Sequence, residues 1–362
     1  MLQWIKSFLI GGQQRVRVGD AFSESVIVTS GVPQGTVLGP LLFVLFMSPL
    51  SNGVKSSFVS SYADDTKVML GRNGNQPSES LQNDLREIYP WIDLNNMKLN
   101  GKKFQHLTYG MPLQDTDSYL DDKGEAIEKV SSVKDLGVIL QNNGSIDLHL
   151  QEKVTKASQM VGWMLRTFRA RDENTVITLY KTLVLPHLEY CSIIWAPTAT
   201  KDLVKLEQVQ RRATRAISGL QKQNYWERLK KLHLFSVQRR FERYLIIYCF
   251  KCIHDIVPNP GIKFTINPRT GISCYIPLKN ATDKKIVKNL KNHSFLYRAP
   301  TLYNKLPLSL KQIFNVRNPL ESFKSELDKY LFRIPDQPSV NGLTRAANSN
   351  SICDQVLYIS SE

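Results

Sequence analysis

The sequence predicts an α+β fold in which short strands and helices come first and a long, mainly helical, basic region follows. Three observations predict it. Two apolar, strand-like runs flank an acidic turn near residue 64, apolar residues recur at helical spacing from residue 81 onward, and the net charge of +15 is concentrated in the second half.

The elements follow in chain order. Gln14-Arg15-Val16-Arg17-Val18 and Ser25-Val26-Ile27-Val28-Thr29 read as a hairpin, with Asp20 and Glu24 in its solvated turn. From Val37 to Leu50 the chain is apolar for about 14 residues, which suits a buried helix and falls short of the roughly 20 needed to span a bilayer. Phe58, Val59 and Tyr62 precede the acidic turn, and Val68, Met69 and Leu70 follow it. Leu81, Leu85, Ile88 and Ile92 trace a helix that Pro90 should bend. A polar stretch from Gln114 to Lys129 reads as an exposed loop or insertion. Leu150, Val154, Ala157, Val161, Met164 and Phe168 form one face of a long helix over 148–168. A second helix covers 175–185, ended by Pro186, and Leu203, Leu206, Val209, Ala213 and Ile217 form a third stripe. Residues 256–300, rich in Pro, Asn and Gly, read as irregular with short strands, 314–332 as a last helix, and the polar tail beyond Pro335 as disordered. There is no internal repeat.

Tyr62-Ala63-Asp64-Asp65 carries the chemistry. Adjacent carboxylates at an exposed tip repel one another unless a cation sits on them, and hard oxygen ligands suit a divalent ion such as Mg2+. Asp pairs also occur at turns for conformational reasons alone. Upstream runs Ser30-Gly31-Val32-Pro33-Gln34-Gly35-Thr36-Val37-Leu38-Gly39-Pro40-Leu41-Leu42-Phe43, where Pro33 fixes φ and Gly35 lacks a Cβ, so the backbone at Gln34 can turn sharply close to a ligand. This Pro-Gln-Gly segment, followed about 30 residues later by Tyr-Ala-Asp-Asp, resembles the palm of reverse transcriptases of non-long-terminal-repeat (LINE-type) retrotransposons.

The resemblance runs from about Trp4 to about Tyr330. Asn100-Gly101-Lys102-Lys103 is similar to the segment after the family's catalytic hairpin, and Val133-Lys134-Asp135-Leu136-Gly137-Val138 to its primer-contacting hairpin. Leu179-Tyr180-Lys181, Pro186-His187-Leu188-Glu189-Tyr190 and Trp195-Ala196-Pro197 resemble its helical thumb. Phe104 and Ser48-Pro49 depart from the family pattern, away from the chemistry. The resemblance implies that Asp64 and Asp65 are catalytic metal ligands. It implies that Pro33, Gln34, Gly35, Tyr62 and Lys103 line the template and nucleotide site, and that Lys134, Asp135, Leu136 and Gly137 touch the primer. It also implies a partial palm over 1–112 and the primer-contacting hairpin and thumb over 113–198, while composition and charge mark a basic helical region over 199–333 and a disordered tail over 334–362. Polymerases of this type hold two metals roughly 3.5–4 Å apart with carboxylates from two strands. The second strand's Asp should precede Pro33 by several tens of residues, and Asp20 and Glu24 do not match it. The expectation is therefore an amino-terminally truncated RNA-directed DNA polymerase, inactive alone, that binds RNA template and DNA primer or their hybrid. A non-catalytic nucleic-acid-binding protein and a decayed element copy are the alternatives.

Composition agrees with an anionic partner. Between 211 and 251 stand eleven Lys or Arg against Glu227 and Glu242, with Arg211, Arg212 and Arg215 the candidates for backbone phosphates. The interleaved Tyr225, Trp226, Phe235, Phe241, Tyr244, Tyr248 and Phe250 read mostly as helical core rather than as base-stacking platforms. Cys249, Cys252 and His254 suggest zinc, but they lie in an apolar helical pattern with no second ligand pair. Scattered histidines offer no triad, and His149 and His187 read as structural. Five cysteines, an odd number, point to reduced thiols. No signal peptide or membrane span is legible, so the expected location is cytoplasm or nucleus; the oligomeric state is left open.

Overall fold

The computed structural model describes residues 1–71, 79–109, 118–267, 269–277, 290–291, 294–313, 318–339 and 350–359. The fold is α+β, as the sequence predicts. The chain divides into two compact units, one of Met1–His106 with Leu113–Val130 and one of Leu107–Pro112 with Ser131–Glu362.

In the first unit, helix α1 (Leu2–Leu9) leads into an interrupted antiparallel hairpin. Strand β1 (Gln13–Gln14) pairs with β4 (Val26–Ile27), and β2 (Arg17–Val18) with β3 (Ala21–Phe22). Asp20 lies in the turn, 3.7 Å from the exposed Arg17 guanidinium, and Glu24 on the returning side. Helix α2 (Leu38–Met47), strands β5 (Phe58–Tyr62) and β6 (Asp65–Met69), and helix α3 (Glu79–Leu94) follow. Their shared core is Met47, Leu50, Ile88 and Ile92, with Phe43, Val59, Val68 and Trp91 against it. Pro90 lies within α3.

Two expectations for this unit change. Helix α2 is apolar all round, yet only Gly39 and Met47 of it are buried, and Leu41, Val44 and Leu45 are 55–59 % exposed. A four-residue core has room for one face of such a helix, and nothing else described in the unit covers the rest. The stretch expected as an exposed loop is docked over residues 118–130. Strand β7 (Gln105–His106) pairs in parallel with β8 (Glu128–Lys129), Leu120 bridges to Ala126, and Tyr119 is buried edge-on to His106. The Leu120 amide donates to Gln82, and its carbonyl accepts from Gln82 and from the Tyr89 hydroxyl, so α3 supplies the partners a loop would take from water. Residues 114–117 lie outside the described residues.

The second unit opens with hairpin β9 (Ser132–Asp135) and β10 (Val138–Gln141), then the 21-residue helix α4 (Asp147–Thr167). Asp172 caps α5 (Glu173–Leu179) by accepting from the Thr175 amide. Pro186 does not end this helix as expected. The chain passes through a π-helical turn, Tyr180–Val184, and resumes as α6 (Leu185–Glu189) with Pro186 in its first turn. The widened turn sits where a ring at 186 would strike an α-helical carbonyl, and a first-turn proline loses no hydrogen bond. Helices α7 (Ser192–Trp195), α8 (Thr200–Arg215), α9 (Tyr225–Lys231) and α10 (Val237–Ile253) follow.

This unit has two cores. The first runs from Val138 to Phe241 and takes residues from both sides of position 199, so α4 and α8 are parts of one structure. The second is built on Leu245 to Ile253 of α10 with the hairpin Phe264–Asn267 and Gly271–Cys274 and the helices Phe295–Asn304 and Pro319–Arg333. Helix α10 belongs to both. Tyr225, Phe241 and Phe250 are buried, and Trp226, Phe235 and Tyr248 pack on the two cores, as the helical pattern implied.

The described part of the tail is docked, contrary to expectation. Asp336 accepts from the Ser236 amide, Asn350 is 7 % exposed, and the Ile352 amide donates to buried Glu242. Arg239, fully buried, donates to the carbonyls of Leu331, Pro335 and Asn350. Polar composition here serves a buried network rather than solvation, which composition alone does not distinguish.

Candidate functional site

The acidic turn is the tip of hairpin β5–β6. Tyr62 pairs with Asp65, leaving Ala63 and Asp64 as a two-residue loop, and Ala63 has φ of 53°, in the left-handed region that tight hairpin turns demand. Asp64 and Asp65 are both exposed, as is Tyr62. The hairpin is held at its base by Asp84. That carboxylate, buried on α3, accepts from the backbone amides of Lys55, Ser56 and Ser57 at 2.9, 3.0 and 2.7 Å. Burial alone would raise its pKa; these donors outweigh it and hold the pKa below the ordinary carboxylate value.

The Pro-Gln-Gly segment forms the turn that starts α2. The Thr36 hydroxyl donates to the Pro33 carbonyl at 2.7 Å and accepts from the Gly39 amide at 3.1 Å, so it closes the turn and caps an orphan amide together. Gly35 has φ of 76°, and a Cβ on Gly39 would sit 2.8 Å from the Pro33 oxygen. Gln34 and Gly35 are exposed and Pro33 half-buried. The turn and the acidic hairpin thus rest on one core, through Phe43 of α2 and Val59 and Val68 of the hairpin. Lys103 is exposed at the end of a short 3-10 turn, Gly101–Lys103, and the strand after it pairs with β8, not with the acidic hairpin.

In the second unit the hairpin bearing Lys134, Asp135, Leu136 and Gly137 turns through Leu136 and Gly137, with φ of 43° and 84°. It is braced from the helices. The Tyr190 hydroxyl donates to the Leu136 carbonyl at 2.9 Å and the nearly buried Lys153 ammonium to the Gly137 carbonyl at 3.2 Å. A Cβ at 137 would lie 3.2 Å from the Tyr190 ring. His149 is structural: Nδ1 accepts from the Ile139 amide at 3.1 Å, and the ring stands edge-on to Trp195. Burial, and after it the Lys153 charge, holds its pKa down at about 4. Lys134 donates to Glu152 at 3.0 Å, and hydrogen bonds from Lys156 and Lys134 bring Glu152 down to about 2. Lys134 therefore presents a shared charge.

Much of the basic run at 211–251 is internal. Arg239 and Arg240 are buried, Arg240 lies 3.3 Å from Glu189, and Arg243 pairs with Asp328 through two hydrogen bonds. Arg211, Arg212 and Arg215 do face outward, along one side of α8, and with Gln208 and Ala216 line a depression of about 470 Å³.

Sequence reading missed Asp84 and Lys153, and it quoted Thr36 and Tyr190 within their motifs without the bracing roles they have here. Asp84 left a legible signal, since positions 84, 88 and 92 share the buried face of α3 and only one of them is charged.

The acidic pair supplies oxygen ligands of the right chemistry for Mg2+, but it is incomplete as a cage. Among the described residues no three His, Cys, Asp or Glu side chains gather to hold a metal. A two-metal site needs at least one more carboxylate from another strand.

Residues 1–140 match the family model of the reverse transcriptase (RNA-dependent DNA polymerase). The chain is related to the reverse transcriptases of LINE-type retrotransposons. It is 26 % identical over 260 residues to a probable RNA-directed DNA polymerase from transposon BS of Drosophila melanogaster, covering 67 % of this chain and 28 % of that protein. It is 26 % identical over 230 residues to the RNA-directed DNA polymerase from mobile element jockey of Drosophila funebris, covering 60 % and 25 %. It is 24 % identical over 239 residues to the Pol polyprotein from the type-1 retrotransposable element R1 of Bradysia coprophila, covering 64 % and 24 %. The chain thus spans about a quarter of the length of these relatives. No solved structure matches it. Both the acidic hairpin and the Pro-Gln-Gly turn lie inside the matched reverse-transcriptase segment.

Proposed function

We propose that these residues are the part of a retrotransposon RNA-directed DNA polymerase that carries the acidic hairpin of the palm, the primer-contacting hairpin and the thumb. One observation carries the reading: adjacent carboxylates occupy a two-residue hairpin tip on the same core as the helix that follows the Pro-Gln-Gly turn. In this reading Asp64 and Asp65 contribute to the metal site, and Pro33, Gln34, Gly35 and Tyr62 border template and incoming nucleotide. Lys103 is an electrostatic helper. The Leu136-Gly137 turn, held by Tyr190 and Lys153, sets the primer end, and β9–β10 with α4 to α8 form the thumb region. RNA template and DNA primer are the partners. Bound Mg2+ would activate the primer hydroxyl and stabilise the leaving pyrophosphate, but the described residues do not complete its ligand set, so these 362 residues alone are proposed to be inactive.

Primer extension on a homopolymer template with Mg2+ tests this. The 362-residue chain should show background extension. Fusion to a preceding palm strand that carries an Asp should restore synthesis, and Asp64→Ala or Asp65→Ala should abolish it again. Synthesis by the unfused chain that both alanine variants abolish would overturn the incompleteness. A second reading, a nucleic-acid-binding module without catalysis, is favoured by the outward arginines of α8; it predicts hybrid binding and no synthesis even in the fused chain.

A further inference from the structure

Two carboxylates from distant parts of the chain meet at the first turn of α10. The Ser236 amide donates to Oδ2 of Asp336 at 2.7 Å, and the next two amides, of Val237 and Gln238, donate to Oε1 of Glu207 at 2.6 and 3.3 Å. The Ser236 hydroxyl accepts from the Arg239 amide at 3.0 Å, so the four amides that a helix leaves open at its start are all satisfied, three of them by the two acids. A helix start favours negative charge, but carboxylates held by consecutive amides are also a like-charge pair, and such a pair is stable when one member keeps its proton.

The surroundings decide which member that is. Asp336 is half-buried, whereas Glu207 is 1 % exposed. The other oxygen of Glu207 accepts from the Tyr225 hydroxyl of α9 at 2.6 Å. Tyr180 of the π-helical turn reaches the same network through Gln210, as does Arg240 of α10. Arg240 lies 3.3 Å from Glu189 of α6, Arg239 is turned to the carbonyls of the tail, and Arg211, one turn further along α8, lines the outward depression. Among the described residues no cation forms an ion pair with Glu207. A carboxylate so enclosed, with a second acid beside it and no paired cation, favours its neutral form. Asp336, for its part, fastens a strap made of residues 335–339 and 350–352. The Asn350 side-chain amide donates to Asp336 at 2.8 Å and to the Ser236 hydroxyl at 3.2 Å, and the Gln337 amide donates to the Asn350 side chain at 2.7 Å. Trp226 Nε1 donates to the Pro338 carbonyl at 3.1 Å, and at the far end the Ile352 amide donates to Glu242, a second buried acid.

We propose that Glu207 is a proton-operated latch for this strap: protonated, it shares the start of α10 with the Asp336 carboxylate, and ionised, it repels Asp336 and frees residues 335–339 from the helix. The latch is independent of the polymerase reading, since it needs neither nucleic acid nor metal. Its direction follows from the site. Burial, opposed by the Tyr225 bond and reinforced by the Asp336 charge, pushes Glu207 up to about 7. A raised folded value means that the hold is whole below 4.5 and is lost as pH rises through about 7, so the strap is fastened in mildly acidic solution and loosens in mildly alkaline solution. Loosening takes away the carbonyl acceptors of Arg239 and Trp226 and opens the corner between α9 and α10 to water.

The test is hydrogen–deuterium exchange of the full chain in steps from about pH 6 to about pH 8.5, with each rate corrected for the intrinsic exchange rate at that pH. In the wild type, protection of residues 335–339 and 350–352 and of the Ser236 amide should fall above pH 7 by up to about tenfold per pH unit, the limit for release of one proton. The core amides of α4 should stay protected throughout. Glu207→Gln keeps an acceptor for the amides and for Tyr225 but has no proton to lose, and its strap should stay protected across the range. Asp336→Asn removes the charge that Glu207 would repel, and its strap protection should likewise not change with pH. If Glu207→Gln does not fold by circular dichroism, Asp336→Asn decides, because its position is half-buried. Glu242→Gln should keep the wild-type pH response. A wild-type strap whose protection is constant with pH overturns the proposal, as does a fall that persists in folded Glu207→Gln or Asp336→Asn. Loss of protection in α4 in step with the strap would show global unfolding and overturn it, and a response abolished by Glu242→Gln instead of Glu207→Gln would assign the latch to the wrong acid and overturn it.

Discussion

Two buried titratable residues, His149 and Glu207, pull the stability of the helical unit in opposite directions with pH. His149 accepts the Ile139 amide as neutral imidazole, and its pKa falls from 6.5 to about 4 on folding. A depressed folded value means that its contribution is whole above 6.5 and fades as pH falls toward about 4. Glu207 accepts the Tyr225 hydroxyl at 2.6 Å and the Val237 amide at 2.6 Å, and burial pushes it up to about 7. A raised folded value means that its contribution is whole below 4.5 and fades as pH rises through about 7. Urea midpoints taken in steps from about pH 4.5 to 7.5 should therefore decline more shallowly on the acid side in His149→Gln, and on the neutral side in Glu207→Gln. Parallel profiles for wild type and both variants would contradict these assignments. Neither residue was legible as a pH-dependent group, because burial of a lone histidine or glutamate depends on which helices meet, and one chain's periodicity does not say that.

At the scale of elements, the acidic hairpin depends on two supports outside it. Replacing Asp84 by Ala leaves three buried amides without an acceptor, and bonds to a charged group contribute about 1.5–3 kcal/mol each before relaxation and water recover part. We expect Asp84→Ala to destabilise the first unit by roughly 2–4 kcal/mol, with Asp84→Asn milder. Gly39→Ala drives a methyl to 2.8 Å from the Pro33 carbonyl, a backbone atom that cannot swing aside, and should cost about 1–3 kcal/mol. Limited proteolysis within residues 30–70 reads both, and cleavage as slow as in the wild type would show that the turn and hairpin stand without them. The hairpin itself was legible, because Tyr62 and Asp65 bracket a two-residue turn between alternating apolar runs. So were α4 and α8, whose stripes are long. The π turn before Pro186, the docking of residues 118–130 and the docking of Asp336 and Asn350 were not. The last two depend on partners far away in sequence, of which local pattern carries no record, and the first on a proline that the pattern reads as an end rather than a first-turn residue.

For the molecule as a whole, a charge of +15 overstates its basic surface. Arg239 and Arg240 are internal, and Arg243 is paired with Asp328. We expect Arg239→Gln to lower the melting temperature of the helical unit, since it strips donors from three carbonyls at a buried site, at a cost of about 2–4 kcal/mol. It should leave the salt slope of nucleic-acid binding unchanged; a reduced slope in the folded variant would place Arg239 on the ligand instead. The same arginine sets a timetable for the newborn chain. Its acceptor at Asn350 lies 111 positions downstream, and the Ser236 amide waits 100 positions for Asp336. At about 5–20 residues per second, a ribosome that has just made α10 needs roughly 5–20 s to deliver those partners. Throughout that interval the Arg239 guanidinium stays hydrated, and its burial is completed only after Leu331, Pro335 and Asn350 have been made. The first core, whose buried residues end at Phe241, needs none of these partners and can form earlier.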